Sequence, residues 1–360
     1  MLVLVFPETG FKPCKPPGNN IHKRTQAVNS ISMPRSRVTM LDVAQRAGVS
    51  KASVSRFIGE DRALLSDATA LRIEKAIDEL GYRPNQMARG LKRGRTRLIG
   101  MLMADIRNPY SVAVMHGVET ACRKHGYSLV VCNTDRDPEQ ERKQLQALRA
   151  YNIEGLIVNT LGHHLEELRE LQQELPMVLV DRKVQHLPSD LVGLNNPKAV
   201  SMAIDHLRER GYTDLAMVSE PVDGTSSRQE RITAFEQLAQ GLVLSTGPDL
   251  HQRLHAFLQA PGSGPKALFC ANGIATLACT LALRELADPA FDEVGLIALD
   301  DLEWYPLVGS GITALAQPTL EIGVQALECL LDRLNGSRAE PQAYDFTPQL
   351  IVRGSTPPRR

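Results

Sequence analysis

Between residues 98 and 316 short apolar runs alternate with amphipathic segments, and this alternation restricts the fold more than any other feature of the chain. Leu98–Met103, Ser128–Asn133, Gly155–Thr160 and Met177–Asp181 are short apolar runs of strand length. The pattern returns at Leu215–Ser219, Ala267–Ala271, Val294–Leu299 and Thr313–Ala316. Between them lie segments with one apolar helical face, such as Val112–His125 and Pro138–Tyr151. Strands buried on both faces read as near-continuous apolar runs, and strand–helix alternation implies parallel sheets with helices on both sides. The number of runs predicts two such sheets, so residues 98–356 are expected to form a two-lobed α/β body. No run approaches the length of about eighteen apolar residues that a transmembrane helix needs.

Charge separates this body from what precedes it. The chain carries 41 basic and 41 acidic residues, a formal charge of zero. Residues 1–98 hold 18 Lys/Arg against 8 Asp/Glu, a net +10, and the remainder hold 23 against 33, a net −10. A basic head on an acidic body predicts a polyanion as the partner of the head.

Residues 37–84 read as a small helical domain. Thr39 is an N-cap with Asp42 in the first turn, and Leu41, Val43, Ala44 and Ala47 supply an apolar face. Gly48 follows where a helix ends in the left-handed conformation. Ser50 caps a second helix, with Val49 and Val54 placed as a hydrophobic staple. Ser66 caps a third, whose apolar residues are Leu71, Ile73, Ala76, Ile77 and Leu80 and which Gly81 ends. Two short helices around a glycine-containing turn make a helix-turn-helix, whose second member can enter a major groove. It would present Lys51, Ala52, Ser53, Ser55 and Arg56: long cations reach guanine edges and short hydroxyls bond phosphates. Residues 85–97 follow as a basic segment in which Asn85 can cap a short helix. Its Leu91 sits among cations, as a wedge between base steps would, or as the incidental leucine of a basic linker.

Residues 1–36 contain Pro7, Pro13, Pro16, Pro17 and Gly18 without sustained periodicity. They are expected to be a disordered leader ahead of a start at Met33 or Met40, the alternative being an arm that touches DNA through Lys23 and Arg24. The 6 cysteines form no CxxC pair and no cluster with histidine, which predicts a reducing cytoplasm with neither disulfides nor zinc.

Ligands of open α/β sheets bind beyond the carboxyl ends of the strands, so the polar residues there are the candidates for a site. They are Asp105, Asn108, Asn133, Asp181, Arg182, Asn272, Asp300, Asp301 and Gln317, with Ser226, Ser227, Arg228 and Arg231 in the loop after residues 215–219. Paired Asp, Asn and Arg side chains can grip hydroxyls and a carboxylate.

The stretch from Thr39 to Arg56 (TMLDVAQRAGVSKASVSR) resembles the helix-turn-helix of the LacI/GalR family of bacterial repressors. Tyr82-Arg83-Pro84-Asn85 and the Ala88/Leu91 pair resemble that family's hinge helix, and the similarity extends over about residues 38–354. The resemblance implies that Lys51, Ala52 and Arg56 read bases and that Leu91 intercalates. The set expected to face DNA is Thr39, Ser50, Lys51, Ala52, Ser53, Ser55, Arg56, Asn85, Ala88, Leu91 and Lys92. Arg231, four residues before Phe235, matches the family's effector-binding arginine. Asn272, Asp300, Asp181 and Gln317 match effector-contacting and lobe-closing positions, and Asn108-Pro109-Tyr110 resembles the family's Asn-Pro-Phe loop. The expected effector set is Asn108, Tyr110, Asp181, Arg182, Arg228, Arg231, Asn272, Asp300 and Gln317. Four departures stand out. Ser53 replaces a Thr, Ala234 a Gly and Gly273 an Asp, and residues 236–266 look short enough to have lost a strand or helix.

The reading that follows is a homodimeric repressor that binds a palindromic operator and is controlled by a sugar or sugar acid. The dimer is expected to form through Val112–His125 and Ala275–Leu286. The chain as a whole is similar to 2-ketogluconate-responsive members of the family, which implies an acidic effector. The alternative is a periplasmic-type sugar-binding protein, which would need a signal peptide and no head. An enzyme would need a nucleophile elbow, a phosphate loop or zinc spacing, none of which is found. His163-His164 is the nearest approach to a metal pair. No cofactor and no metal are expected.

Overall fold

The computed structural model describes residues 3–4, 38–59, 61–83, 95–262, 264–286 and 294–359. They divide between Thr96 and Arg97 into two compact units. The leader expected over residues 1–36 lies outside the described residues, apart from Val3–Leu4.

In the smaller unit α1 (Met40–Ala47), α2 (Lys51–Ile58) and α3 (Asp67–Leu80) enclose Val43, Ala44, Ala47, Val54, Ile73 and Ala76. Local chemistry sets each boundary. Thr39 and Asp42 form a reciprocal capping box, and Gly48 ends α1 at φ 63°. Ser50 and Ser66 accept the amides of Ser53 and Thr69, and Gly81 closes α3 at φ 61°. Val49 packs beside the wholly buried Val54, as a staple should. Two expectations fail. Leu41 is 53% exposed and Leu71 67% exposed. Each lies two residues before a buried position, Val43 or Ile73, and two helical residues are about 200° apart, so each faces away from the core.

The larger unit contains two sheets. In the first, β1 (Val3–Leu4), β2 (Leu98–Met103), β3 (Ser128–Asn133), β4 (Gly155–Asn159), β5 (Met177–Val180), β6 (Asp190–Leu194) and β12 (Ala343–Phe346) run in the order β1-β3-β2-β4-β5-β6-β12. In the second, β7 (Asp214–Ser219), β8 (Leu242–Ser245), β9 (Lys266–Cys270), β10 (Gly295–Leu299), β11 (Thr313–Ala316) and β13 (Gln349–Ile351) run β13-β11-β10-β9-β7-β8. The pairs are parallel except β11–β13. The covering helices are α4 (Pro109–Lys124), α5 (Pro138–Ala150), α6 (Leu165–Glu174), α7 (Asn196–Glu209), α8 (Ser226–Ala239), α9 (Leu250–Gln259), α10 (Gly273–Glu285) and α11 (Thr319–Leu334).

The chain passes between the lobes after β6, after β11 and after β12, because α7 packs into the second core and α11 into the first. Strands β6, β8, β12 and β13 were not among the sequence-read runs. Gly193 interrupts the apolar character of β6. It is glycine because its backbone passes beside Asp181, whose Cα would lie 3.3 Å from an added Cβ. Residues 236–266 hold both β8 and α9, so the second lobe keeps the elements expected to be reduced there.

The apolar face of Val112–His125, expected to meet a second chain, is largely taken inside its own. Val114, Val118 and Ala121 of α4 share a core with Ile322, Ala326 and Leu327 of α11. The two helices approach so closely that a Cβ on Gly117 or Gly323 would overlap the backbone of the other. Gly117→Ala is therefore expected to lower stability by about 1–3 kcal/mol in urea unfolding, since overpacking against backbone outweighs alanine's helix preference. An unchanged or raised midpoint would show that the helices can separate without loss.

Candidate functional site

In the head, α2 exposes Lys51, Ala52, Ser55 and Arg56, while Ser53 is half-buried. Neither Lys51 nor Arg56 pairs with an acidic residue among the described ones. Ser50 and Ser53 are tied to each other: the Ser53 amide donates to Ser50 Oγ at 3.1 Å and the two hydroxyls lie 3.0 Å apart. Thr39 donates its amide and hydroxyl to Asp42 Oδ2 at 2.7 and 2.8 Å. Those bonds, the amide first, hold the Asp42 carboxyl below the usual range. Arg46 of α1 meets Glu79 of α3 at 2.7 Å, so the first helix is pinned from its solvent side. Thr39 and Ser50 thus serve first as caps, and the exposed face of α2 is left to Lys51, Ala52, Ser55 and Arg56. Asn85, Ala88, Leu91 and Lys92 lie outside the described residues.

In the body the two sets of strand ends contribute to one buried polar cluster. Asp181 and Asp300 follow β5 and β10 of their respective lobes, and both take left-handed backbone, at φ 69° and 71°. That conformation is unusual for a residue with a side chain, although Asp tolerates it better than most. Asp181 Oδ2 lies 3.3 Å from Arg182, and Arg231 approaches Asp181 from α8 of the other lobe at 3.8 Å. Arg231 also donates to Asn196 Oδ1 at 2.8 Å and to the Ala271 carbonyl at 3.1 Å. Asp300 accepts from the Gly273 amide at 2.9 Å and from Gln317 Nε2 at 2.6 Å. Gly273, where the resemblance calls for Asp, lets Leu302 and Asp300 lie against the start of α10.

Tyr110 is buried at the start of α4, and its hydroxyl feels Asp181, Arg231, Asp300 and Arg182. Burial, then the charge of Asp181, pushes it well above the usual phenol range, so it stays protonated. Among the described residues its oxygen has no hydrogen-bond partner, and neither have Gln317 Oε1 and Asn159 Oδ1. A polyol can satisfy such buried groups, since each hydroxyl both donates and accepts. Asn108 plays a different part: its Oδ1 caps α4 by accepting the Tyr110 amide at 3.1 Å. Asn133 accepts the Ile106 amide and holds a turn. Asp301 is bidentate to Arg353, at 2.8 and 2.9 Å, so it takes no cleft arginine.

Arg228 does not stand free. It meets Glu220 at 2.5 Å, with both side chains buried. Glu220 also accepts from Asn272 Nδ2 at 2.8 Å and from Arg136 at 3.1 Å. Asn272 Oδ1 meanwhile caps α10 through the Ala275 amide. Glu220, Arg136 and Asn196 are absent from the sequence-read set. Position offered one signal for Glu220, because it follows β7, whose neighbours β8 and β9 lie on opposite sides, and such a switch point is where open sheets bind ligands. His164 hydrogen-bonds the Pro138 carbonyl, and no group of metal-ligating side chains is found among the described residues.

Burial, opposed by Arg231, Gln317 and Gly273, raises the Asp300 carboxyl above the usual range. A raised folded value favours the protonated form, so the stability it supports is fully present below the unfolded value and is lost as pH rises through the folded one. Asp300→Asn should remove that part of the pH dependence. Over about pH 4 to 7 the melting temperature of wild type should fall relative to the variant as pH rises. Parallel curves would show that Asp300 titrates normally.

Comparison with known proteins identifies the family of both units. Residues 39–85 match the model of bacterial regulatory proteins of the lacI family, and residues 204–356 match that of the periplasmic binding protein-like domain. The HTH-type transcriptional regulator PtxS of Pseudomonas aeruginosa is 66% identical over 336 residues, covering 92% of this chain and 99% of that one. The regulator KdgR of Bacillus subtilis is 38% identical over 329 residues, covering 88% and 97%. Among solved structures the lac repressor dimer bound to operator and the anti-inducer ONPF aligns with a TM-score of 0.77 at 21% identity, over 89% of this chain and all of that one. With a helix-turn-helix head, two parallel-sheet lobes and relatives of this identity along nearly its whole length, the chain belongs to the LacI family of DNA-binding transcriptional repressors.

Proposed function

We propose that this repressor works in the cytoplasm as a homodimer on a palindromic operator, and that a sugar acid, 2-ketogluconate, held between the lobes sets its grip on DNA. The observation that carries the effector reading is the gathering of Arg182, Arg228 and Arg231 with the unpartnered oxygens of Tyr110 and Gln317 in one buried cluster. Arginine is the strongest partner for a carboxylate in a partly desolvated cleft, and the unpartnered oxygens suit sugar hydroxyls. The resemblance to 2-ketogluconate-responsive repressors supports the same ligand, and the head matched at residues 39–85 speaks against a plain sugar-binding protein.

Two-fold symmetry supports the dimer: one copy offers one recognition helix and two copies read two half-sites. Apolar side chains left exposed on the body, Val112 and Leu320 on the first lobe and Leu277 and Leu281 on α10, are available to a second copy. The segment 85–97, with Leu91 as wedge, is assigned to the minor groove between half-sites. The ligand favours one arrangement of the lobes by differential affinity and releases DNA.

The test is fluorescence anisotropy of the full chain on a palindromic duplex at two salt concentrations, with 2-ketogluconate, gluconate, fructose and a purine as competitors. Binding should weaken steeply with salt and be lost on adding the sugar acid. If only the neutral sugar or the purine acts, the effector assignment is wrong. Arg56→Ala is expected to relax preference at one base position by about 1–3 kcal/mol in a binding-site selection, and an unchanged preference would remove Arg56 from the reading set. Arg231→Lys keeps the charge but loses the forked donor geometry. It should leave operator affinity intact and abolish the response to 2-ketogluconate, whereas an undiminished response would place the ligand elsewhere.

A further inference from the structure

Glu220 accounts for no part of the site as the sequence defined it, yet its buried carboxylate accepts three side-chain hydrogen bonds. Oε2 accepts from Arg228 at 2.5 Å and from Asn272 at 2.8 Å, and Oε1 accepts from Arg136 at 3.1 Å. Arg136 belongs to the first lobe, after β3, whereas Arg228 and Asn272 belong to the second. One carboxylate therefore joins three donors from two lobes. The site demands an anion: burial first, then the nearby charges of Arg136 and Arg182, pull the Arg228 guanidinium below its ordinary value, and Glu220 opposes that shift.

We infer that Arg136, Arg228 and Asn272 form a carboxylate-binding subsite which the chain fills with its own Glu220, and that the carboxylate of the effector takes that place. The inference rests on the proposed sugar-acid effector and extends it by naming the subsite and the group displaced. Exchange of one carboxylate for another leaves the three donors satisfied and the net charge of the buried cluster unchanged. This avoids the penalty of an unpaired buried guanidinium that simple loss of Glu220 would bring. The route out is open on one side, because the Arg136 side chain is about a third exposed while Glu220 and Arg228 are buried. The departing group is free to move, because Glu220 lies just past the end of β7, in a loop that turns through left-handed Asp223 and Gly224. Its side chain can leave without breaking a strand or helix. In the same loop the hydroxyl of Thr225 is buried with no hydrogen-bond partner among the described residues.

Glu220→Gln and Glu220→Ala in the full chain test this. Glu220→Gln removes the competing charge and should tighten 2-ketogluconate by about fivefold or more in calorimetric titration while leaving a neutral ketose, fructose, unchanged. Glu220→Ala leaves Arg228 and Asn272 without their anion, while Arg136 keeps Asp105 at 3.6 Å. Acetate, as a free carboxylate, should then raise its melting temperature saturably at millimolar concentration and leave wild type unmoved. The proposal is overturned if acetate stabilises Glu220→Ala no more than wild type, or if Glu220→Gln binds the sugar acid more weakly than wild type does. Should no sugar acid bind any form while acetate still rescues Glu220→Ala, the effector assignment fails and the anion subsite stands.

Discussion

Opposite charges buried together at the facing strand ends hold the body of this repressor in its observed form. The side chains of Arg182, Arg228, Arg231, Asp181 and Glu220 are each less than a tenth exposed, and Asp300 is buried as well. A charge taken out of water at such depth is tolerated only when it is paired and hydrogen-bonded on most sides. Asp181 pairs with Arg182 and Arg231, Glu220 with Arg228 and Arg136, and Asp300 is held by Gln317 and the Gly273 amide; two of these pairings, Arg136–Glu220 and Asp181–Arg231, cross from one lobe to the other. Lobe separation is therefore linked to the ionic state of the cluster. Moving the lobes apart would strand charges, and any molecule that enters must replace the partners it removes.

The fold produces this concentration of charge by using one plan twice. Setting aside the two-residue edge strand β1, β2 has β3 on one side and β4 on the other as β7 has β8 and β9, so the chain leaves each sheet in opposite directions and opens a crevice at the carboxyl ends. The residue after β5 in one lobe and after β10 in the other is an aspartate in the left-handed region. Strained conformations of this kind persist where the surroundings over-determine them. Here the Asp181 and Asp300 amides are fixed to Val192 and Leu315 of the adjoining strands. The carboxylates are thus aimed by sheet geometry rather than by a flexible loop. Gln317 sits on the crossover between β11 and α11 and donates to Asp300, so a segment that joins the lobes also touches the cluster.

What could be read from the amino acids follows from how local each signal is. The head was legible because its boundaries are set by side chains within three or four residues of the amides they satisfy: Thr39 with Asp42, Ser50 with Ser53, Ser66 with Thr69. Eight of the nine interior strands are legible as apolar runs. The edge strand β12 was not, because it is half exposed and alternates, and β6 was disguised by Gly193. The apolar face of α4 pointed to burial but could not say against what, since α11 arrives about two hundred residues later. Asp181, Arg231, Asn272, Asp300 and Gln317 were found from strand-end position and from resemblance, and they do converge. Asn108 also serves as a helix cap, as an Asn before Pro readily does. Glu220 was passed over because a lone glutamate before Pro221 looks like an exposed turn, and only the topology reveals a switch point there.

The same distribution of partners decides which kind of ligand can act on the lobes rather than simply occupy the space between them. A ligand shifts a conformational balance only by the difference in its affinity for the two arrangements. Asn272, Asp300 and Gln317 belong to the second lobe or its crossover, so a molecule held by them alone would bind both arrangements almost equally. Tyr110, Arg136 and Arg182 come from the first lobe, and Arg228 and Arg231 from the second. A carboxylate held by arginines of both lobes is strongly bound only while the lobes keep their spacing. It is also the group whose loss each arginine resists most, because a buried guanidinium left without an anion is costly. An acidic sugar therefore couples its binding to lobe geometry through charges already paired there, whereas a neutral sugar would have to do so through hydrogen bonds alone.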